Sequence, residues 1–233
     1  MPPIFSMKPF RTIDTHTVAD GTVFTLHEHD GNFYLHNDGN ELMSTARIFS
    51  EEVLADVGLA SFIKKNTPDL KVVIAGLGLG FTLKRSLELV APDATVQVAE
   101  LLPQIVKWNQ THLADVNGHA LADPRTDLYQ GDFFDCLTNA GPKAYHALLF
   151  DIDENPESLV VPGNKRMYTP TFFATIHQAL KPNGCAAFWL ARKEPAFMDR
   201  LKKAGFTNIT GTAAPSHAKA KRSIHHIYAG YRA

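Results

Sequence analysis

Cysteine is nearly missing from this chain: Cys136 and Cys185 are the only two in 233 residues. Two cysteines cannot build a disulfide framework or a cysteine-rich zinc site, so each is expected to act as a small apolar residue in a reducing compartment. Also missing is any apolar run near the ~20 residues that a membrane-spanning helix needs. The opening stretch MPPIFSMKPF has no basic region followed by a hydrophobic core, and a cytoplasmic protein is expected. Neither sign of charge is in excess, with 23 basic against 24 acidic side chains and a formal net charge of −1. No broad field is available to attract nucleic acid or an anionic membrane, so the expected partner is a small molecule. Internal repeats and low-complexity tracts are absent too. What is present, 45% hydrophobic and 20% charged residues, suits a globular protein with a substantial core.

Two regions differ in pattern, and the sequence divides into a small β domain over 1–60, with a linking helix, and a larger domain over 61–233. HTVADGTVFTLHEHDGNFYLHNDG holds short segments rich in Val, Thr, Phe and Tyr, punctuated by Asp20-Gly21, Asp30-Gly31 and Asp38-Gly39. Such dipeptides favour tight reversals, which predicts an antiparallel meander. Ser50 ahead of Glu51, Glu52, Val53, Leu54 and Val57 reads as a helix N-cap, with the acidic pair at the positive end of the dipole. From Lys71 onward strands and helices alternate. KVVIA, TVQVAE, TDLYQ, HALLFD and CAAFWLA are strand-like, whereas Thr82 to Val90, Pro103 to Gln110 and Thr169 to Leu180 have helical spacing. Continuous apolar strands separated by helices imply a parallel sheet covered on both faces. FTNIT and SIHHIYAGYRA leave no room for a helix between them, so the last strand is expected to insert antiparallel.

The first parallel strand runs into Gly76, Gly78 and Gly80. Bare backbone there permits a tight turn and close approach of a ligand at a helix start. A dinucleotide fingerprint needs another glycine where this chain has Phe81, which argues against a nicotinamide site. The second strand ends at Glu100, where a carboxylate can accept from both hydroxyls of a ribose. The third is followed by Asp132 and Phe133, positioned for an adenine. All three features sit at carboxyl ends of strands, where open α/β sheets bind ligands.

IAGLGLG, VAELLP, GDFFD, LLFDIDENP and MYTPTFFATIHQALKPNG, together with LHNDGNELMS and FSEEVLADVGL, resemble the spermidine synthase-like branch of the class I S-adenosylmethionine-dependent methyltransferase superfamily. The resemblance spans nearly the whole chain. It implies a Rossmann-like, mostly parallel seven-stranded sheet with an antiparallel last strand, and a homodimer joined partly through the amino-terminal strands. It implies that Gly76, Gly78, Leu79 and Gly80 line the donor's sulfonium end, that Glu100 with Leu101 beside it holds the ribose, and that Asp132 and Phe133 hold the adenine. Asp151 then matches the catalytic aspartate, touching donor and acceptor, and Tyr168 helps to wall the acceptor pocket.

Three departures bear on the reaction. Where aminopropyl-transferring members carry an aspartate that pairs with the amine of decarboxylated S-adenosylmethionine, this chain has Leu79. Their Asp-x-x-Asp-Pro becomes DIDENP, which puts Asp153 and Glu154 beside Asp151 as an acidic mouth, and their Tyr-His-Glu becomes FSEE. With no partner for a cationic tail, intact S-adenosylmethionine is the expected donor and methyl or other alkyl transfer to a small amine or other nucleophile the expected reaction. Aminopropyl transfer to a polyamine is the alternative, and a nucleoside-binding module without catalysis a further one. No metal is required, because a sulfonium donor carries its own activation.

Other signals are weaker. His27 and His29 share one strand face but have no cysteine near them, so they are expected to be solvated. The basic run from His217 to His226 reads as a loop and the start of the last strand. Trp108 and Trp189 sit in apolar patterns, and Ser86 and Ser158 lack the setting of a nucleophile elbow.

Overall fold

A computed structural model describes residues 9–152, 166–215, 217 and 223–233. The chain divides into two compact units, 1–47 and 48–233, so the boundary falls before the linking helix rather than near residue 60.

In the first unit β1 (Arg11–Thr17), β2 (Val23–His29), β3 (Asn32–Asn37) and β4 (Asn40–Ser44) form an antiparallel sheet in sequence order. The Asp-Gly turns set the register. Asp30 and Gly31 have φ of 51° and 80°, and Asp38 and Gly39 have 47° and 79°, the doubly left-handed turn whose twist matches that of the flanking strands. Leu26 pairs with Leu35, and with Phe24 they alternate onto one buried face.

The second unit opens with α1 (Phe49–Lys64), followed by β5 (Lys71–Ala75), α2 (Phe81–Leu89), β6 (Thr95–Glu100), α3 (Pro103–Gln110), β7 (Thr126–Gln130), α4 (Phe133–Ala140) and β8 (Tyr145–Phe150). After the undescribed stretch come α5 (Pro170–Ala179), β9 (Leu180–Leu190), α6 (Pro195–Lys203), β10 (Phe206–Pro215) and β11 (Ser223–Arg232). The sheet order is β10-β11-β9-β8-β5-β6-β7. Every pair from β9 to β7 is parallel, and β11 runs antiparallel to both its neighbours, as the missing crossover helix requires. Val72 to Ala75 and Ala147 to Phe150 are buried without alternation, because helices cover both faces.

Some local expectations change. Ile48, not Ser50, caps α1, and Ser50 lies inside the helix with its hydroxyl donating to Glu51 Oε2 at 2.6 Å. Thr169 is the true cap of α5, accepting from the Phe172 amide at 3.2 Å. β9 begins at Leu180, directly after α5, rather than at Cys185. Two short helices, α4 and α6, of 8 and 9 residues, add to those expected from the sequence.

Candidate functional site

Strand order reverses between β5 and β8: β6 and β7 continue to one side, β9 to the other. The crevice at such a reversal, beyond the carboxyl ends of the strands, is where open α/β sheets take ligands. The Asp151 amide donates to the Ala75 carbonyl at 3.0 Å, tying the two strand tips together.

The glycine loop leaves β5 at this point. Gly76 has φ of 90°, and a Cβ there would lie 2.4 Å from the Asp151 carbonyl oxygen. Gly80, at φ of 89°, caps α2, and its Cβ would meet Asn109 Oδ1 at 2.6 Å. Both positions therefore need glycine for backbone conformation and for space. Asn109, buried on α3, donates to the Gly78 carbonyl at 2.8 Å and holds the loop from below. Nothing in the sequence pattern singled it out.

Glu100 turns toward this loop. Its Oε2 accepts from the Leu77 amide at 2.9 Å and its Oε1 from the Leu102 amide at 2.8 Å. The carboxyl is 8% exposed, and burial raises its pKa while these amide donors oppose the rise. The Gly78 and Leu101 amides act on the same carboxylate, so the backbone around the loop holds it from several sides. Leu101, next in the chain, is 43% exposed and presents an apolar surface at the same rim. Leu79 is buried.

Asp132 ends the loop after β7 and caps α4, its Oδ1 accepting from the Phe134 amide at 2.8 Å. Its Oδ2 pairs with Arg166, whose guanidinium lies 3.5 Å from the Phe134 ring centroid. Phe133 is 5% exposed, with its ring edge-on to Phe150 in the core. Cys136, Cys185 and Trp108 are buried, as expected, and Trp189 is half-buried. Ser86 donates to the Thr82 carbonyl inside α2. Thr12 lies 3.1 Å from His27 Nδ1, and His29 stacks on Phe10. No cluster of three or more metal-ligating side chains occurs among the described residues.

Asp151 follows β8. Thr82, in the first turn of α2, donates to its Oδ2 at 2.7 Å, and the same hydroxyl lies 3.5 Å from the Glu51 carbonyl. The sequence reading treated Glu51 only as a charge at a helix start, yet the fold sets it beside Asp151. Burial first, then the Asp151 charge, pushes Glu51 up to about 7, while the hydrogen bond from Ser50 pulls it down. Burial pushes Asp151 up to about 6 against the opposing Thr82 bond. Tyr168 lines an apolar recess with Ile152, Met167, Phe150, Trp189 and Phe197, adjoining Asp151 in the chain. Asp153, Glu154 and Ser158 lie outside the described residues.

No protein-family model matches the chain. A polyamine aminopropyltransferase of Mycobacterium tuberculosis is 30% identical over 115 residues, which make up 48% of this chain and 21% of that protein. The chain thus spans about a fifth of the length of that curated relative. Among solved structures, a spermidine synthase in complex with the transition state analogue AdoDATO superposes with a TM-score of 0.72 at 16% identity, covering 96% of this chain and 73% of that one. Human methyltransferase-like protein 13 in complex with SAH gives 0.54 at 16% identity, covering 78% and 79%. The fold is that of the class I S-adenosylmethionine-dependent methyltransferases, with a small antiparallel sheet ahead of it. Within that class it is the spermidine synthase-like branch that the chain resembles, in its sequence relatives and in its fold. No helix among the described residues is long and apolar enough to cross a membrane.

Proposed function

We propose that the protein is a transferase that binds an adenosyl sulfonium donor at the β5, β6 and β7 tips and passes an alkyl group to a small amine. Aminopropyl transfer from decarboxylated S-adenosylmethionine is favoured over methyl transfer. The donor site fits such a compound: Gly76, Gly78 and Gly80 bring bare backbone to the β5 tip, and Glu100 is anchored on the loop amides beside it. Asp132, with Phe133 behind it, is then the adenine side of the site, and Leu101 adjoins the ribose. Bound there, the donor supplies an electrophilic carbon already activated by positive sulfur; a C–N bond forms as the C–S bond breaks and its electron pair returns to sulfur.

The observation that carries the choice of reaction is the Glu51–Asp151 pair. The substitution at Leu79 removes one acidic partner for an ammonium tail. The fold supplies Asp151 at the β8 tip instead, with Glu51 in the first turn of α1 near enough to feel its charge. A donor tail carrying its own carboxylate would be repelled by this pair, whereas a tail ending in an ammonium, or an amine acceptor, would be attracted. The relatives named polyamine aminopropyltransferase point the same way. Asp151 orients the amine so that its lone pair faces the donor carbon, and the apolar side chains around Tyr168 form a wall beside it. Asp153 and Glu154 extend the acidic mouth in this reading. Assembly as a cytoplasmic homodimer is part of the same proposal, checked by sedimentation.

Calorimetric titration with the two donors tests the choice. At least tenfold tighter binding of decarboxylated S-adenosylmethionine is expected. Tighter binding of the intact compound would restore the methyl-transfer reading that Leu79 suggests.

A further inference from the structure

The small amino-terminal sheet carries histidines that the transferase reading does not use, and two of them meet. His27 lies opposite Tyr34 and Thr25 opposite His36, so His27 and His36 are diagonal neighbours across β2 and β3. They share the face turned away from Phe24, Leu26 and Leu35. Their ring centroids are 4.7 Å apart, with the planes at 68°. Two imidazoles sharing one tetrahedral ion, each through a nitrogen at about 2.0–2.1 Å, have centroids about 5 Å apart. The strands therefore hold the rings at the spacing an ion needs, and rotation about χ2 turns a nitrogen of each toward it.

Each ring also has the surroundings of a ligand. The Thr12 hydroxyl lies 3.1 Å from His27 Nδ1, and a partner on one ring nitrogen fixes the imidazole and leaves Nε2 for an ion. His36 Nε2 is buried and has no hydrogen-bond partner among the described residues, a setting that a bound ion would relieve. Burial, then the charge of His36, holds His27 below the ordinary imidazole range, which favours the neutral form that binds metals. Glu41, opposite His36 on β4, is engaged by Arg47, and His29 stacks on Phe10. Neither joins the pair, so water would complete the coordination.

We propose that His27 and His36 form a two-histidine site for a divalent transition ion such as zinc, which staples β2 to β3. Imidazole nitrogen suits ions of this class. The first unit has reason to use a staple: among its described residues the buried apolar side chains are Phe24, Leu26 and Leu35, a small core for a sheet of its own.

Calorimetric titration of the tag-free protein with zinc chloride should show one saturable site per chain. His27→Ala and His36→Ala should each weaken it about tenfold or more, whereas His29→Ala should leave it within about twofold. Imidazole nitrogen NMR of the wild type at saturating zinc should move the His27 and His36 Nε2 signals and spare His29. Zinc should also raise the melting temperature of the wild type and not that of His36→Ala. No saturable uptake by the wild type, affinity unchanged in both alanine variants, or an equal loss in His29→Ala would overturn the proposal. Should neither variant fold, the wild-type nitrogen spectrum decides, and His27 and His36 signals that stay in place under zinc would overturn it.

Discussion

Glu100 and Asp151 both end buried parallel strands, yet their partners differ in kind. Glu100 is held by backbone amides that favour its charged form against a larger upward push from burial, which fixes the carboxyl on the loop. Replacement by Gln turns an amide N–H toward one of those donors and removes the charge. Donor affinity should fall about 10- to 100-fold, the equivalent of about 1.5–3 kcal/mol for a hydrogen bond to a charged group, as read by calorimetry. Asp151 has one hydroxyl donor and a like-charged neighbour, which leaves it poised to exchange a proton. Asp151→Asn should therefore abolish most turnover, with a loss at least about tenfold larger than any loss of donor affinity. If affinity and turnover fall together, Asp151 serves binding and not the reaction.

At the scale of elements, the glycine loop is a junction where β5, β8 and α2 meet with no room for a side chain. Gly76→Ala would force a Cβ to within 2.4 Å of the Asp151 backbone carbonyl at a φ of 90°. The strain of the left-handed backbone alone costs on the order of 1–2 kcal/mol. Moving the β8 tip adds to it, so a lower melting temperature and loss of donor binding are expected together. This junction was legible in the sequence, because the KVVIA run fixes a buried strand and closely spaced glycines mark where it must turn. Glu100 and Asp151 were legible for the same reason, as carboxylates at the ends of apolar runs. Glu51 was not. Its setting includes the charge of a residue 100 positions away, and a charge in the first turn of a helix looks the same whether it faces solvent or another carboxylate. Ser50 was misread as a cap for a related reason: a hydroxyl ahead of two glutamates has the pattern of a capping residue, and the fold uses it to orient Glu51 instead. Asn109 leaves no pattern at all, being a lone polar residue on an amphipathic helix.

For the molecule as a whole, the acidic pair couples stability to pH. Glu51 and Asp151 bind protons more tightly in the folded protein than in the unfolded chain, so between about pH 4 and about pH 7 the native state holds more protons. Their contribution is therefore fully favourable below the ordinary carboxylate range and is lost as pH rises through the folded values. Chemical denaturation across that window should show the wild type losing stability relative to Glu51→Gln as pH increases; parallel curves would mean the pair is not coupled to folding. The residues proposed to hold the donor all fall within residues 48–233. Mass spectrometry of the products tests the account most directly. Purified protein given decarboxylated S-adenosylmethionine and 1,4-diaminobutane should yield a triamine and methylthioadenosine. Formation of S-adenosylhomocysteine and a methylated amine from the intact donor, with no triamine from the decarboxylated one, would contradict it.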